Sequence, residues 1–429
     1  MPAIIVVGGQ WGDEGKGRVV DLLARKSHIV ARYSAGNNAG HTVVNELGEF
    51  RLHLVPAGIF YGDKECIIGN GMVVDPAVLL QEIRELEERG VSVEKLHISD
   101  RCHIIMPYHL LIDRLDEELR GKAAIGTTGR GVGPAFADKV GRLGIRMGDL
   151  IDPDAFRHRL SFILPYKNAV LQKLYGAEPL SFEDVSSTYI QYGPQLSPFV
   201  TDTAALVQDA LEQGETVLLE GAQGALLDLD AGTYEYVTSS VPSSLAGGAT
   251  IGMGIGPVPI SKVVGVYKAY QTRVGNGPMP TELVDKMGDA LRERGWEYGT
   301  TTGRPRRCGW FDAVAARYSA RLNGLTSVAL TRLDVLDGFP TLNICTAYRL
   351  GENTIRTFPA SSLALACCQP VYEELPGWQK DTGQIRAFED LPPQAKAYVE
   401  RIQELIGCPI DLVSVGPERD QAIVVNPVF

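Results

Sequence analysis

The first thirty residues constrain this chain more than any later stretch. A short apolar run, Ala3 to Val7, leads into GGQWGDEGKGR (Gly8 to Arg18), and that leads into a helix-like run from Arg18 to Lys26. A glycine-rich turn between a buried strand and a helix places uncovered backbone N–H groups at the positive end of the helix, which is an anion cradle. Lys16 adds a point charge to it. Asp13 and Glu14 put two carboxylates in the same turn, where they would repel bare phosphate unless one binds a metal or works as an acid or base. The two commonest glycine patterns are absent. A P-loop needs glycine at the position of Gln10 and Ser or Thr at that of Gly17, and the dinucleotide fingerprint also needs glycine at Gln10.

Short β-branched runs recur between amphipathic stretches: His28 to Tyr33, Cys66 to Gly69, Val217 to Glu220, Ser261 to Tyr267, Val328 to Leu333, Leu342 to Tyr348 and Pro409 to Val413. This alternation predicts an α/β fold with a large, mostly parallel sheet. Helical periodicity in Val78 to Arg89, Asp312 to Leu322 and Gln394 to Ile406 predicts the helices that flank it. No repeat or linker divides the 429 residues, so one large domain is expected over 1–429, with insertions near 152–213 and 367–387. In the first insertion, Asp152 to Tyr175 and Tyr189 to Gln213 read as helices with no strand between them. Gly247 to Gly256 is too glycine-rich for a regular element and is expected to bring backbone close to a ligand or to another strand.

With 41 basic and 52 acidic side chains the formal net charge is −11, which disfavours nonspecific binding to nucleic acid or membranes and leaves anion binding to local clusters. The seven cysteines are scattered without a CxxC pair, as in a reduced protein, and adjacent Cys367 and Cys368 are expected to be buried thiols. A strand starts by Ile4 and no apolar run reaches the ~18 residues of a membrane helix, so a cytoplasmic location is expected.

Two further stretches carry chemistry. NNAGHT (Asn37 to Thr42) follows the strand His28 to Tyr33, and it would lie beside the first glycine loop if the two strands were neighbours. TTTGRPRR (Thr300 to Arg307) crowds Arg304, Arg306 and Arg307 around Gly303, and the planar guanidinium fork suits carboxylates and phosphates.

QWGDEGKG closely resembles the N-terminal signature of the adenylosuccinate synthetase family. IGTTGRGVGP (Ile125 to Pro134), EGAQG (Glu220 to Gly224), LDVLDG (Leu333 to Gly338) and VGPERD (Val415 to Asp420), with the two stretches above, are similar to its later motifs in the same order. The resemblance spans essentially the whole chain. It implies a P-loop-NTPase-like architecture with helical and loop insertions. It also implies a GTP-dependent ligation of IMP to L-aspartate through 6-phosphoryl-IMP, with Mg2+ as the metal and a homodimer as the assembly.

The resemblance further assigns the residues. Asp13 would be the base that removes the N1 proton of IMP, with His41, Lys16 and Gln223 completing the catalytic set and Asp13 and the Gly40 carbonyl holding the metal. GTP would meet Gly12, Asp13, Glu14, Gly15, Lys16, Gly17, Arg18, Gly40, His41, Thr42 and Arg306, with Arg332, Leu333, Asp334, Ser414, Val415 and Gly416 around the base. A carboxylate at Asp334 would select guanine, because adenine lacks the paired donors. IMP would meet Asp13 to Lys16, Asn38, Ala39, Gly40, His41, Thr128, Gln223, Thr238 and Arg304, with Arg142 reaching the neighbouring subunit's site. Aspartate would be held by Thr300, Thr301, Thr302, Gly303, Arg304, Pro305 and Arg306. Glu235 departs from the family pattern and adds a carboxylate close in sequence to Thr238. Two other functions remain open here: a related synthetase that joins aspartate to another purine nucleotide such as dGMP, and a regulatory GTP-binding protein.

Overall fold

A computed structural model describes residues 3–45, 47–241, 247–299, 303–418 and 420–428. Ten strands form the main sheet: β1 (Ala3–Gly8), β2 (Ile29–Arg32), β3 (Glu65–Ile68), β4 (Leu96–Ser99), β5 (Val200–Thr201), β6 (Val217–Gly224), β7 (Ile260–Lys268), β8 (Ser327–Thr331), β9 (Ile410–Ser414) and β10 (Ala422–Val424). Their order is β10-β9-β8-β7-β1-β6-β2-β3-β4-β5. Every pairing is parallel except that of β9 with the edge strand β10.

A parallel sheet needs cover on both faces, and β1 shows how the sequence meets that need. All six of its residues are buried. Ala3, Ile5 and Val7 pack on one face with Val207, Ala249 and Met253; Ile4 and Val6 pack on the other with Val19, Val20 and Leu23 of the first helix, Lys16–Ala24. The period of two along the strand divides its side chains between two apolar layers.

Several expectations are corrected. Leu342 to Tyr348 does lie in a strand, Thr341–Leu350, but this strand centres a second, mostly antiparallel sheet with Gln369–Pro376, Asn353–Ile355 and Phe311–Asp312. One of that sheet's strands, Gln369–Pro376, lies within the stretch 367–387. The stretch 189–213 is not one helix. A helix begins earlier at Phe182–Ile190, capped by Ser181, and the two-residue strand β5 precedes the helix Thr203–Glu212. A strand of two residues leaves no periodicity to read.

Gly247–Met253 is helical despite its glycines. Close approach selects them: a Cβ on Gly252 would lie 2.1 Å from the Tyr33 carbonyl oxygen. Packing overrides intrinsic helix propensity, and the expected contact of backbone with backbone is met. Of the vicinal cysteines only Cys368 is buried; Cys367, just past a short helix, is exposed. Among the described residues no helix is long and apolar enough to cross a membrane.

The turn after β1 is clamped from behind. Ser319 Oγ donates to the Gly9 carbonyl at 2.7 Å and shares a 2.7 Å hydrogen bond with the buried Tyr267 hydroxyl, and a Cβ on Gly9 would stand 2.1 Å from the Tyr267 ring. Gly9→Ala is expected to lower stability by about 1–3 kcal/mol, because a ring held by two elements cannot retreat. Denaturant midpoints for the variant and the native chain measure it.

Candidate active site

A cleft of about 1040 Å³ opens outside the carboxyl ends of the parallel strands. Its wall is drawn from the segments that follow β1, β2, β6, β7, β8 and β9.

Gly12, Asp13, Gly15, Lys16, Gly17 and Arg18 line the cleft. The loop turns through left-handed conformations at Gly12, Asp13 and Gly15 (φ 88°, 59° and 85°), and Gly15 caps the following helix with no side-chain acceptor. That helix start is left open to an anion. The two adjacent carboxylates part company here. Asp13 is exposed in the cleft, whereas Glu14 is fully buried and accepts from Gln10 N at 3.1 Å, Gly12 N at 2.9 Å and Lys16 Nζ at 2.7 Å. The Glu14 carbonyl accepts from Thr331 Oγ1 at 2.6 Å. The Glu14 side chain is thus an internal anchor: loop N–H groups that gather around one carboxylate hold the turn in shape.

Asp13 Oδ2 lies 2.9 Å from Arg306 Nε, close enough for an ion pair but without the alignment of a hydrogen bond. Gly303 and Arg304 also line the cleft, and Gly303 is left-handed at φ 64°. Pro305 is exposed and outside the lining, while Thr300, Thr301 and Thr302 lie outside the described residues.

The second loop meets the first by a route not expected from sequence. β1 and β2 are not neighbours, because β6 runs between them. The loops still touch: a Cβ on Gly17 would lie 3.1 Å from His41 Cβ. β6 contributes its own end, Gln223, left-handed at φ 53°, whose Nε2 donates to Asn38 Oδ1 at 3.2 Å and whose Oε1 accepts from Ser240 Oγ at 3.4 Å. Asn38, Ala39, Gly40, His41, Thr42 and Gln223 all line the cleft. Burial, followed by Arg32, His53 and Lys16, holds His41 well below the usual histidine range. The imidazole is therefore neutral, and its 3.7 Å approach to Glu220 is a polar contact rather than a salt bridge. Its Nε2 is buried without a hydrogen-bond partner among the described residues.

Thr128 and Thr238 line the cleft, and Thr238 Oγ1 is likewise buried and unpartnered. Glu235 is exposed and outside the lining, so it adds no charge to that wall. Arg142 caps the helix Val132–Gly141 in a left-handed conformation, exposed and away from the cleft.

At the far end, Arg332 and Ser414 line the cleft, and Arg18 Nη1 donates to Ser414 Oγ. Burial and then Arg332 bring Arg18 down to about 10, against the pull of Asp334. Leu333 and Val415 belong to the hydrophobic core, and Gly416 is buried beside Gln421. Asp334 does not line the cleft, yet its Oδ1 is buried with no hydrogen-bond partner among the described residues, and burial raises its pKa. A buried carboxylate oxygen without a donor is an acceptor waiting for one. Among the described residues no group of three or more His, Cys, Asp or Glu could hold a metal ion.

Sequence inspection passed over several groups. Arg32, at the end of β2, and Glu220, within β6, are paired at 4.0 Å next to His41. Arg273 lies over Trp11 at 5.3 Å and donates to Thr233 Oγ1 at 3.2 Å. Glu297 and Lys268 form a buried pair behind Arg306. Only Glu220 carried a signal, within EGAQG.

The arrangement defines a nucleotide-binding α/β enzyme in which groups suited to phosphates and to carboxylates share one cleft. Comparison with known proteins names the kind. The family described as adenylosuccinate synthetase matches residues 5–423. The adenylosuccinate synthetases of Heliobacterium modesticaldum and Carboxydothermus hydrogenoformans are 54% and 53% identical over 429 residues, covering the whole of each chain. The fully ligated adenylosuccinate synthetase of Plasmodium falciparum superposes with a TM-score of 0.93 at 37% identity, over 99% of both chains. A cyanophage S-2L succinoaminodeoxyadenylate synthetase bound to dGMP and dATP reaches 0.61 at 23% identity, over 99% of this chain and 96% of that one, a likeness of fold alone. This chain belongs to the adenylosuccinate synthetase family, GTP-dependent ligases that join IMP to aspartate in AMP biosynthesis.

The second loop is braced from below by Glu82. Its carboxylate accepts from His53 N (2.5 Å), Leu54 N (3.0 Å) and Val55 N (3.4 Å), while His53 Nδ1 meets the Ala39 carbonyl at 2.9 Å. Burial raises Glu82 from 4.5 to about 7, against the backbone donors. The folded chain then keeps a proton that the unfolded chain has released between these values, so this contribution to stability falls as pH rises from 4.5 to 7. Glu82→Gln, neutral throughout, is expected to flatten that slope by an amount of order 3 kcal/mol across the window. Unfolding midpoints measured at intervals of pH check it.

Proposed function

We propose that the ligation proceeds in this cleft by two displacements, with Asp13 as the base of the first. Asp13 takes the N1 proton of IMP, the 6-oxygen gains negative charge, and that oxygen attacks the γ-phosphate of GTP to give 6-phosphoryl-IMP and GDP. The aspartate amine then displaces phosphate to leave adenylosuccinate. The observation that carries the assignment is the division between neighbours: Asp13 stands exposed in the cleft, and Glu14 is buried under three donors.

The other assignments follow from position and chemistry. Lys16 and the open helix start receive phosphate charge, neutral His41 donates to the phosphates as GDP leaves, and the Gln223 amide donates to the 6-oxygen as charge grows there. Asn38, Thr128, Thr238 and Arg304 hold IMP, with Arg142 of a second copy in a homodimer. Gly303 to Arg306, with the threonines 300–302, hold aspartate, and Arg306 also meets GTP. The unpartnered Asp334 oxygen accepts from guanine, flanked by Arg332 and Ser414 to Gly416.

One carboxylate and one carbonyl, Asp13 and Gly40, make no cage alone, but both border the cleft. That donor set suits Mg2+ that is held largely by nucleotide phosphates and water. Bound there, the ion would neutralise phosphate charge. The cytoplasm is the expected compartment, and one large domain with its insertions the expected organisation.

The test follows GDP release and the purine ultraviolet spectrum together, omitting GTP, Mg2+, IMP and aspartate in turn. Matched GDP and adenylosuccinate that require every component support the reading, and GDP release indifferent to IMP and aspartate overturns it. Asp13→Asn is expected to lower kcat by about 10²–10⁴-fold with an unchanged Tm. His41→Asn is expected to lower kcat far more than it raises the KM for GTP, and equal changes in both would assign His41 to binding instead.

A further inference from the structure

Behind Arg306 lies a charged group that the two displacements leave unused. Glu297 is 0% exposed, and its carboxylate accepts three hydrogen bonds. Lys268 Nζ (2.7 Å) and Tyr270 Oη (2.5 Å) donate to Oε1, and Arg306 Nη1 (2.6 Å) donates to Oε2. Lys268 is itself 1% exposed and also donates to Thr272 Oγ1 at 2.9 Å. Asp13, Glu297, Lys268 and Arg306 thus form a chain of two carboxylates and two cations whose formal charges cancel. Burial alone would raise the pKa of Glu297; Lys268, Arg306 and Arg332 outweigh it and hold it at about 2.

The chain is tied to the loop at both ends. Gln10 Oε1 accepts from Lys268 N at 2.9 Å, and Gln10 Nε2 donates to the carbonyls of Lys268 and Tyr270 at 3.2 and 3.1 Å, so the cation hangs from the glycine-rich turn itself. Glu297 grips Arg306 twice, through its carboxylate and through its carbonyl, which accepts from Arg306 N at 2.8 Å. Arg292 Nε donates to the Arg306 carbonyl at 2.9 Å. Held on its main chain and at Nη1, the Arg306 fork is oriented with Nε facing Asp13 and without a hydrogen-bond partner among the described residues. An arginine that must meet an anion at a set position loses less freedom on binding when its fork is already fixed.

We propose that Glu297, with its charge balanced by Lys268, is a positioning residue that aims Arg306 at the anionic group of a substrate entering beside Asp13. The proposal rests on Arg306 being a substrate contact. A merely structural Glu297 would only neutralise Lys268 in the interior, and the two roles separate by experiment. Glu297→Gln turns one acceptor into a donor that faces donors. The double variant Glu297→Gln with Lys268→Met also removes the stranded cation. Steady-state KM values for GTP, aspartate and IMP, kcat and Tm are measured for both variants, with Arg306→Lys in parallel.

The KM for aspartate or GTP is expected to rise about tenfold in Glu297→Gln and in Arg306→Lys, with that for IMP changed less than about twofold. The double variant is expected to regain Tm while that KM stays high; should the single variant fail to fold, the double variant decides by the same KM. Three results overturn the proposal: no KM moves beyond about twofold, all three rise together in step with lost Tm, or the double variant restores KM along with Tm. If Arg306→Lys raises a KM and Glu297→Gln does not, positioning alone has failed. If Arg306→Lys leaves every KM native, Arg306 is no substrate contact and both readings fall.

Discussion

The buried carboxylate of Glu14 is the contact on which the site's architecture depends. A charged oxygen pair with no exposure would be costly on its own, and here Gln10 N, Gly12 N and Lys16 Nζ converge on it. That convergence bends the chain after β1 tightly enough that a Cβ on Gly8 would stand 2.5 Å from Glu14 Oε2. It also turns the next carboxylate outward. Asp13 is available to a substrate because Glu14 is not.

Charge around the cleft is arranged by local pairing rather than by the composition of the chain. The chain carries a formal net charge of −11, yet Arg18, Arg304, Arg306, Arg332 and Lys16 all border the cleft. Arg306 is offset by Asp13 and Glu297, and Lys16 by Glu14. Burial, and then Arg32, His53 and Lys16, keep His41 well below the usual histidine range. Pairing of Lys16 and Arg306 with buried carboxylates keeps these two cations compensated inside the fold.

Much of this was legible in the chain. The strand before the glycine loop, the helix after it and six of the seven other apolar runs lie in the main sheet, because parallel strands buried on both faces must be continuously apolar. The loops holding Asp13, Asn38 and Gln223 and the turn at Ser414 converge on one cleft because each lies at or just past the carboxyl end of a strand of that sheet, while Thr128 and Arg304 reach it from stretches that follow helices. The misses have physical causes. Gly247–Met253 is helical although Gly252 is kept without a side chain by the Tyr33 carbonyl, and Thr341–Leu350 pairs with Asn353–Ile355 and Gln369–Pro376 in another sheet rather than with the main one. Local pattern cannot report either fact.

Residue chemistry alone determined that the chain carries a glycine-rich turn suited to an anion, that three arginines cluster around Gly303, and which family its motifs follow. Those properties are written in composition and spacing over a few residues. Only the tertiary structure decided that β6 would part β1 from β2 and set Gln223 between their loops, that Glu14 would face inward while Asp13 faced out, and that Lys268 and Glu297, 29 positions apart, would stand behind Arg306. Each of these depends on long-range packing and on the need to satisfy every buried charge, which no single stretch of sequence expresses.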